Sequence, residues 1–259
     1  MEVSLKNVLI SEILKTKKKH ILSASILLPL IITVLSSVIN IQYFFDEDLA
    51  VLGGNPWRSL CVLLFECYKF LYPVLMIIIC VQLYEVKQTS NESEKVFVGP
   101  VSKTYLYCSR AIILVFCLFI SLLIAFSLTL LTGEICSKLY PLMKFQDYMI
   151  TDLIGAFFVK SFFFNLSIIA IQLLLSIFFT NVILLIGTPL FLMVVGNTVF
   201  RLAYNYLFPY SYSFQAALDF ENGDSFIIDQ MFYWSMFYSI FFFVFGVFVV
   251  RLQKVYTAN

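Results

Sequence analysis

Apolar residues run almost unbroken through six stretches of the chain, about 21–41, 59–83, 106–131, 153–179, 182–206 and 232–250, each bounded by charged or strongly polar positions. A helix needs about 20 apolar residues to cross a hydrocarbon core about 30 Å thick. The pattern therefore predicts an all-α polytopic membrane protein with six transmembrane helices in a single transmembrane domain over 1–259. An even number of crossings puts both termini on one side. The first run follows KTKKKH and is longer than the apolar region of a cleaved secretory signal, with no small-residue cleavage site after it, so it reads as an uncleaved first span.

Between and before the runs the pattern changes. Val3, Val8, Leu9, Ile13 and Leu14 share one side of a helical wheel, with Lys6, Glu12 and Lys15 elsewhere, which predicts an interfacial helix within 1–19. The stretch YNYLFPYSYSFQAALDFENGDSFIIDQ between the last two runs is too short for two more spans and too aromatic for a plain loop. Pro209 and the rings predict short interfacial or re-entrant pieces, which are tolerated at membrane depth only where protein covers their backbone. Runs four and five are separated by little more than Thr180 and Asn181, which predicts a tight antiparallel hairpin.

Charge adds an orientation. Of the 259 residues 61% are hydrophobic and only 13% charged, so the distribution of charge carries more information than its sum of +1. Lys6, Lys15, Lys17, Lys18 and Lys19, then Lys87, Lys95, Lys103 and Arg110, and finally Arg251 and Lys254, fall on one side of the six-span pattern. The positive-inside rule makes that side cytoplasmic. The opposite side carries Asp46, Glu47, Asp48, Asp219, Glu221, Asp224 and Asp229. These two sides are the basic end and the acidic end below. Trp57, Tyr204, Tyr206, Tyr210, Tyr212 and Trp234 fall near the acidic boundaries, where amphipathic rings prefer the headgroup level.

The composition also excludes chemistry. The six cysteines form no C-x-x-C pair and the chain holds one histidine, His20, so metal and haem sites are not expected, and free Cys in apolar runs behaves as a small hydrophobe. No glycine-rich loop precedes Lys-Ser or Lys-Thr, so ATP is not cradled here. Neither G-x-S-x-G nor H-E-x-x-H occurs, and no catalytic, cofactor-binding or metal-binding residue is assigned. Nothing in this charge distribution suggests nucleic acid.

A few polar groups interrupt the spans. Glu66 and Lys69, in LFECYKFLYP, lie three residues apart on one helix face. A lone charge at a span centre costs about 2.5–3.5 kcal/mol on insertion scales, so opposite charges at this spacing are expected to meet. They either line a polar path or subunit interface, or neutralise each other with Lys69 reaching toward the boundary. Lys160 and Arg201 face an aqueous cavity, snorkel, or mark a misplaced boundary. Asn165, Gln172 and Asn197 suit hydrogen bonds between helices.

The densest charge lies in EVKQTSNESEKVFVGPVSKTYLYCSR, residues 85–110. A mere connection would be a few residues long, and 84–105 is longer. Charge followed by VFV and stopped by Gly99-Pro100 suits a short amphipathic helix lying on the membrane surface. With Glu85 ending span two, Pro100, Ser102 and Lys103 in a Pro-x-Ser-basic order, and Arg110 entering span three, the chain resembles the half-size, six-span membrane subunits of type-2 ABC exporters associated with peptide-antibiotic export and immunity.

That resemblance implies a coupling helix in 84–105 that docks on a separate cytoplasmic ABC ATPase, with Glu85, Lys87, Glu92, Glu94, Pro100, Ser102 and Lys103 as ATPase-coupling residues. ATP and Mg would bind that partner and not this chain, which would be no enzyme by itself. It also implies a dimer with itself or a paralogous permease, in the plasma membrane of a bacterium. The cargo it suggests is an amphipathic peptide such as a bacteriocin or lantibiotic, exported for immunity, resistance or secretion. A lipid-linked glycan, a small hydrophobic drug, and a non-transporting membrane subunit are the alternatives. Glu66, Lys69, Lys160, Asn165, Gln172 and Arg201 are the candidate pathway or interface residues.

Overall fold

A computed structural model describes residues 5–18, 21–46, 55–89, 102–141, 144–179 and 181–256. Among them run eight α-helices: α1 (Leu5–Lys18), α2 (Ile21–Asp46), α3 (Pro56–Thr89), α4 (Lys103–Leu139), α5 (Thr151–Phe178), α6 (Val182–Val199), α7 (Tyr212–Asn222) and α8 (Gln230–Tyr256). Short 3-10 turns at Phe145–Tyr148, Asn205–Leu207 and Pro209–Ser211 complete the fold. Six of the helices, α2 to α6 and α8, are long and apolar enough to cross a membrane. The all-α, six-span reading is what the structure shows.

Helix ends and hydropathy ends do not coincide. The apolar run read over 59–83 gives way to Glu85 and Lys87, but α3 continues to Thr89, and α4 starts at Lys103 and runs to Leu139. Hydropathy marks where lipid stops, whereas a helix in water still satisfies its own backbone and need not stop there. Glu85 and Lys87 therefore belong to α3 and Lys103 to α4, which narrows the connecting stretch from the expected 84–105. In the other direction, α6 ends at Val199, short of the expected 206. The chain there tightens into turns around Asn205, whose Nδ2 donates to the Phe200 carbonyl at 2.6 Å.

Helix α5 is the hub, packed against α8, α3, α4 and α7. Its buried Phe157 stacks on Phe65 of α3 with ring centroids 3.7 Å apart, and Phe65 also meets the Phe220 ring of α7 edge-on at 4.6 Å. Aromatic contacts of this kind contribute about 0.5–1.5 kcal/mol beyond their area. The predicted hairpin between α5 and α6 is only partly realised. The connection is short and Asn181 caps α6 by accepting from Ile183 N at 2.9 Å, yet α6 lies mainly against α3 and the Pro209–Ser211 turn. The outward faces of α2 (Leu27, Ile31, Leu35) and α8 (Phe237, Phe241, Phe248) are exposed and apolar, as a surface meeting hydrocarbon must be.

The expectation about boundary rings is corrected, and the polar side of α1 gains a partner. In α1 the covered stripe is Val8, Glu12 and Thr16, one turn apart and 3%, 2% and 1% exposed, while Ile10, Ile13 and Leu14 point outward. The polar side with Glu12 faces protein because Arg110 of α4 waits there, its Nε 3.4 Å from Glu12 Oε2, with Lys15 Nζ 3.0 Å from Oε1. Trp57, Tyr210 and Tyr212, expected at headgroup level, are buried. The Trp57 indole donates to the Phe145 carbonyl at 2.9 Å and lies over Gly133, where any Cβ would collide with it. Tyr204 is exposed, as a boundary ring would be.

Candidate functional site

The re-entrant stretch builds from its anchors inward. At Gly196 of α6 the backbone carbonyl of Tyr210 comes so close that a Cβ would collide with it, so glycine is what lets the Pro209–Ser211 turn seat against the span. Helix α7 follows and ends in a Schellman motif. Asp224 N bonds the Asp219 carbonyl at 2.8 Å and Gly223 N the Phe220 carbonyl at 3.1 Å, with Gly223 left-handed at φ 80. Its buried Phe214, Ala216, Ala217 and Phe220 pack toward α3 and α5. The stretch expected to form interfacial or re-entrant pieces thus holds a helix covered by protein.

One charge cluster joins this helix to the spans. Lys160, nine residues and so about 14 Å into α5, is 1% exposed. Its Nζ lies 2.5 Å from Asp219 Oδ2 of α7 and 3.2 Å from Asp229 Oδ2, just before α8. Each carboxylate has a second donor: Gln215 Nε2 reaches Asp219 Oδ1 at 2.8 Å, and Phe232 N reaches Asp229 Oδ1 at 2.7 Å at the foot of α8. Lys160 neither snorkels nor faces a cavity. Burial of a lone ammonium would be prohibitive, and paired with two hydrogen-bonded carboxylates it is not.

Glu66 and Lys69 do meet, by a salt bridge within α3. The Lys69 side chain is 11% exposed and its Nζ lies 5.6 Å from the Phe70 ring and 5.7 Å from the Phe214 ring of α7, a cation–π contact with the re-entrant helix. The Glu66 side chain is 39% exposed. Both charge groups thus adjoin α7, one from α3 and one from α5.

The remaining predicted residues scatter. Gln172 Nε2 donates to the Leu185 carbonyl at 2.9 Å and links α5 to α6. Asn165 Nδ2 instead donates within its own helix to Ser161 O at 2.7 Å, and its buried Oδ1 has no hydrogen-bond partner among the described residues. Arg201 stands beyond the end of α6, exposed, with its guanidinium 5.3 Å from the Phe200 ring. Asn197 is exposed on α6. Ser102 precedes α4 with extended backbone and its carbonyl accepts from Leu106 N, while Lys103 is exposed at the helix start. Glu85 and Lys87 lie in the last turns of α3. Glu92, Glu94 and Pro100 lie outside the described residues.

Sequence reasoning missed Asp219, Asp229, Gln215 and Glu12 as partners, having read the first two only as acids of one side. A usable signal was present, since a lysine deep in a span requires a carboxylate and 219–229 supplies several.

Six helices long and apolar enough to cross a membrane point to a multi-pass membrane protein. The family model for ABC-2 family transporter protein matches residues 8–196, more than half of the chain, which therefore belongs to that family. No curated protein and no solved structure matches the chain. The family is the membrane transport component of an ABC system and is not itself catalytic, and such a permease is generally paired with an ATPase subunit and a dimer mate. The match covers α2 to α5 and most of α6, with Lys160 inside it, whereas Asp219 and Asp229 lie beyond it.

Proposed function

We propose that this chain is the permease subunit of an ATP-driven exporter, moving an amphipathic peptide of the bacteriocin or lantibiotic kind out of the membrane or cell. It works as a dimer with itself or a paralogous permease, with the basic end and both termini in the bacterial cytoplasm. The observation that carries this reading is the course of α3. One helix of 34 residues, continuous through Pro73 and about 51 Å long, runs from the acidic end, where Phe65 and Phe70 touch α7, past its apolar run to Glu85 and Lys87.

Force applied beside Glu85 at the basic end is thereby delivered to α7 at the other. A helix is stiff along its axis, and small shifts of packed helices are the usual means by which a local event moves a distant element. The stretch with Glu92, Glu94, Pro100, Ser102 and Lys103 would be where a cytoplasmic ATPase pushes. ATP and Mg stay with that partner, while this chain supplies path and selectivity. The Phe-rich spans, with 29 Phe in the chain, favour an amphipathic or lipid-like cargo over a hydrophilic one.

Co-reconstitution with the partner ATPase in proteoliposomes tests this. Hydrolysis stimulated by a cationic amphipathic peptide, and accumulation of that peptide across the bilayer, are expected. Charge reversal at Glu92 and Glu94 should leave insertion intact and uncouple hydrolysis from transport. Stimulation by a lipid-linked glycan or a small hydrophobic drug but not by peptide would replace the cargo, and failure of the chain to associate with any ATPase would remove the exporter reading.

A further inference from the structure

We propose that Lys160 is the positioning residue of the acidic-end closure: its single ammonium clamps the re-entrant helix α7 and the foot of α8 onto α5, and the closure opens by releasing this clamp. Its meaning for transport rests on the exporter reading above; the clamp itself does not. Lys160 Nζ contacts Asp219 Oδ2 at 2.5 Å and Asp229 Oδ2 at 3.2 Å. Those two residues bracket the stretch 219–229, so one cation pins both ends of the turn that leads from α7 into the last span.

The rest of the neighbourhood makes the clamp specific. Gln215 and the Phe232 amide fix the outer oxygens of the two carboxylates, so both are aimed at the lysine. Residues 222–226 between them are exposed. Helix α7 is only 11 residues long, below the length at which a helix holds its own shape in water, so its stability must come from what it packs on. One side of that packing is apolar and shape-tolerant, provided by Phe65, Phe70 and Phe214.

Apolar contacts of this kind can slide, whereas a buried ion pair has one good geometry and a penalty everywhere else. A short element can open locally without the rest of the fold unfolding, and the ion pair sets the one geometry in which α7 is seated. Buried Ser213 Oγ on α7 and Tyr210 Oη before it have no hydrogen-bond partner among the described residues, whereas Tyr212 Oη donates to the Tyr206 carbonyl at 2.6 Å and Asn205 Nδ2 to Gln215 Oε1 at 3.3 Å, so besides the clamp these polar contacts tie α7 to the turn before it. Burial also pushes the Tyr210 hydroxyl up from its ordinary value, keeping it neutral.

The test reads local opening in the full chain in lipid nanodiscs, with labelling by a membrane-impermeant maleimide quantified peptide by peptide so that the native cysteines stay in place. Single cysteines are introduced on α7 (Ser213→Cys, Ala217→Cys) and, as a control, at buried Ser121 of α4 (Ser121→Cys). Lys160→Met should raise labelling on α7 tenfold or more and leave the α4 position protected, while Lys160→Arg should stay near the parent. Asp219→Asn, which keeps the side-chain shape and leaves Asp229 on the lysine, should give a smaller rise and serves if Lys160→Met does not insert.

Protection of α7 unchanged in Lys160→Met and Asp219→Asn overturns the clamp. A parallel rise at α7 and at the α4 control also overturns it, because Lys160 would then act on the whole fold. A selective rise on α7 combined with unaltered ATP-driven transport keeps the clamp and removes the exporter role assigned to the closure.

Discussion

Two charge groups flank the same helix and differ in almost every physical respect. Glu66 and Lys69 come from one turn of α3 and leave the carboxylate 39% exposed, whereas Lys160 draws Asp219 and Asp229 from positions 59 and 69 residues away and is almost wholly covered. A local pair gains little from folding, because its members are already neighbours in the isolated helix. A pair assembled from distant segments exists only in the folded chain, so its energy is spent on holding those segments together. The first tunes the surface of α3, and the second fixes the topology of the acidic end.

The largest test of that contrast is Lys160→Met. Removing the cation strands the covered Asp219 carboxylate and the Asp229 carboxylate, which is 28% exposed, a loss of up to about 3–5 kcal/mol for a buried pair broken on one side. Thermal unfolding in nanodiscs should show it as a large drop, and replacing Lys160, Asp219 and Asp229 together by apolar residues of similar size should recover much of the loss. A Lys160→Met chain as stable as the parent would erase the distinction between the two groups.

Next comes the backbone anchor of the same stretch. Gly196→Ala sets a methyl group against the Tyr210 carbonyl, which cannot swing aside as a side chain would. Overpacking costs about 1–3 kcal/mol, and the upper part of that range is expected here. If the melt barely moves, the turn at Pro209–Ser211 is compliant and the lysine alone positions α7.

A third pair separates distance in sequence from depth in the bundle. Glu12 and Arg110 are also far apart in sequence, but they tie α1 to the base of α4 at 3.4 Å, with Lys15 sharing the carboxylate. Glu12→Leu leaves the guanidinium without its acceptor there, at about 1–3 kcal/mol for an unsatisfied polar group. The expected signature is faster proteolysis of the N-terminal helix with a modest change in overall melting. A loss as large as that of Lys160→Met would mean that long-range pairing matters and burial depth does not.

How much of this was legible in the sequence follows the same division. The six spans were, because hydropathy over about 20 residues is set by lipid and not by neighbours. The Glu66–Lys69 pair was, because helical spacing alone brings its members together. The contact that holds α1 was not: its apolar side was read as meeting the membrane surface, and the partner of its polar side, Arg110, lies in another helix. Lys160 was visible as an anomaly without its explanation, since nothing local indicates which of the acids between 219 and 229 turns inward. Trp57 was placed at a boundary by its chemistry, yet it is buried because Gly133 leaves room for its ring and Phe145 offers a carbonyl.

The smallest effect is the most discriminating for function. Glu66→Leu removes the half-exposed partner of a pair worth under about 1 kcal/mol in stability, and Lys69 keeps its contacts with Phe70 and Phe214. Folding and insertion should therefore be almost unchanged. A carboxylate left 39% exposed on a helix apolar enough to cross a membrane faces boundary water, lipid, a dimer mate or cargo, and lipid is the costly choice. With the partner ATPase present, Glu66→Leu should change substrate-stimulated hydrolysis or co-purification of the second permease while the melting midpoint stays put. Parent-like behaviour in all three measurements would reduce the pair to local neutralisation, and the acidic end would then owe its function to Lys160 and its distant partners.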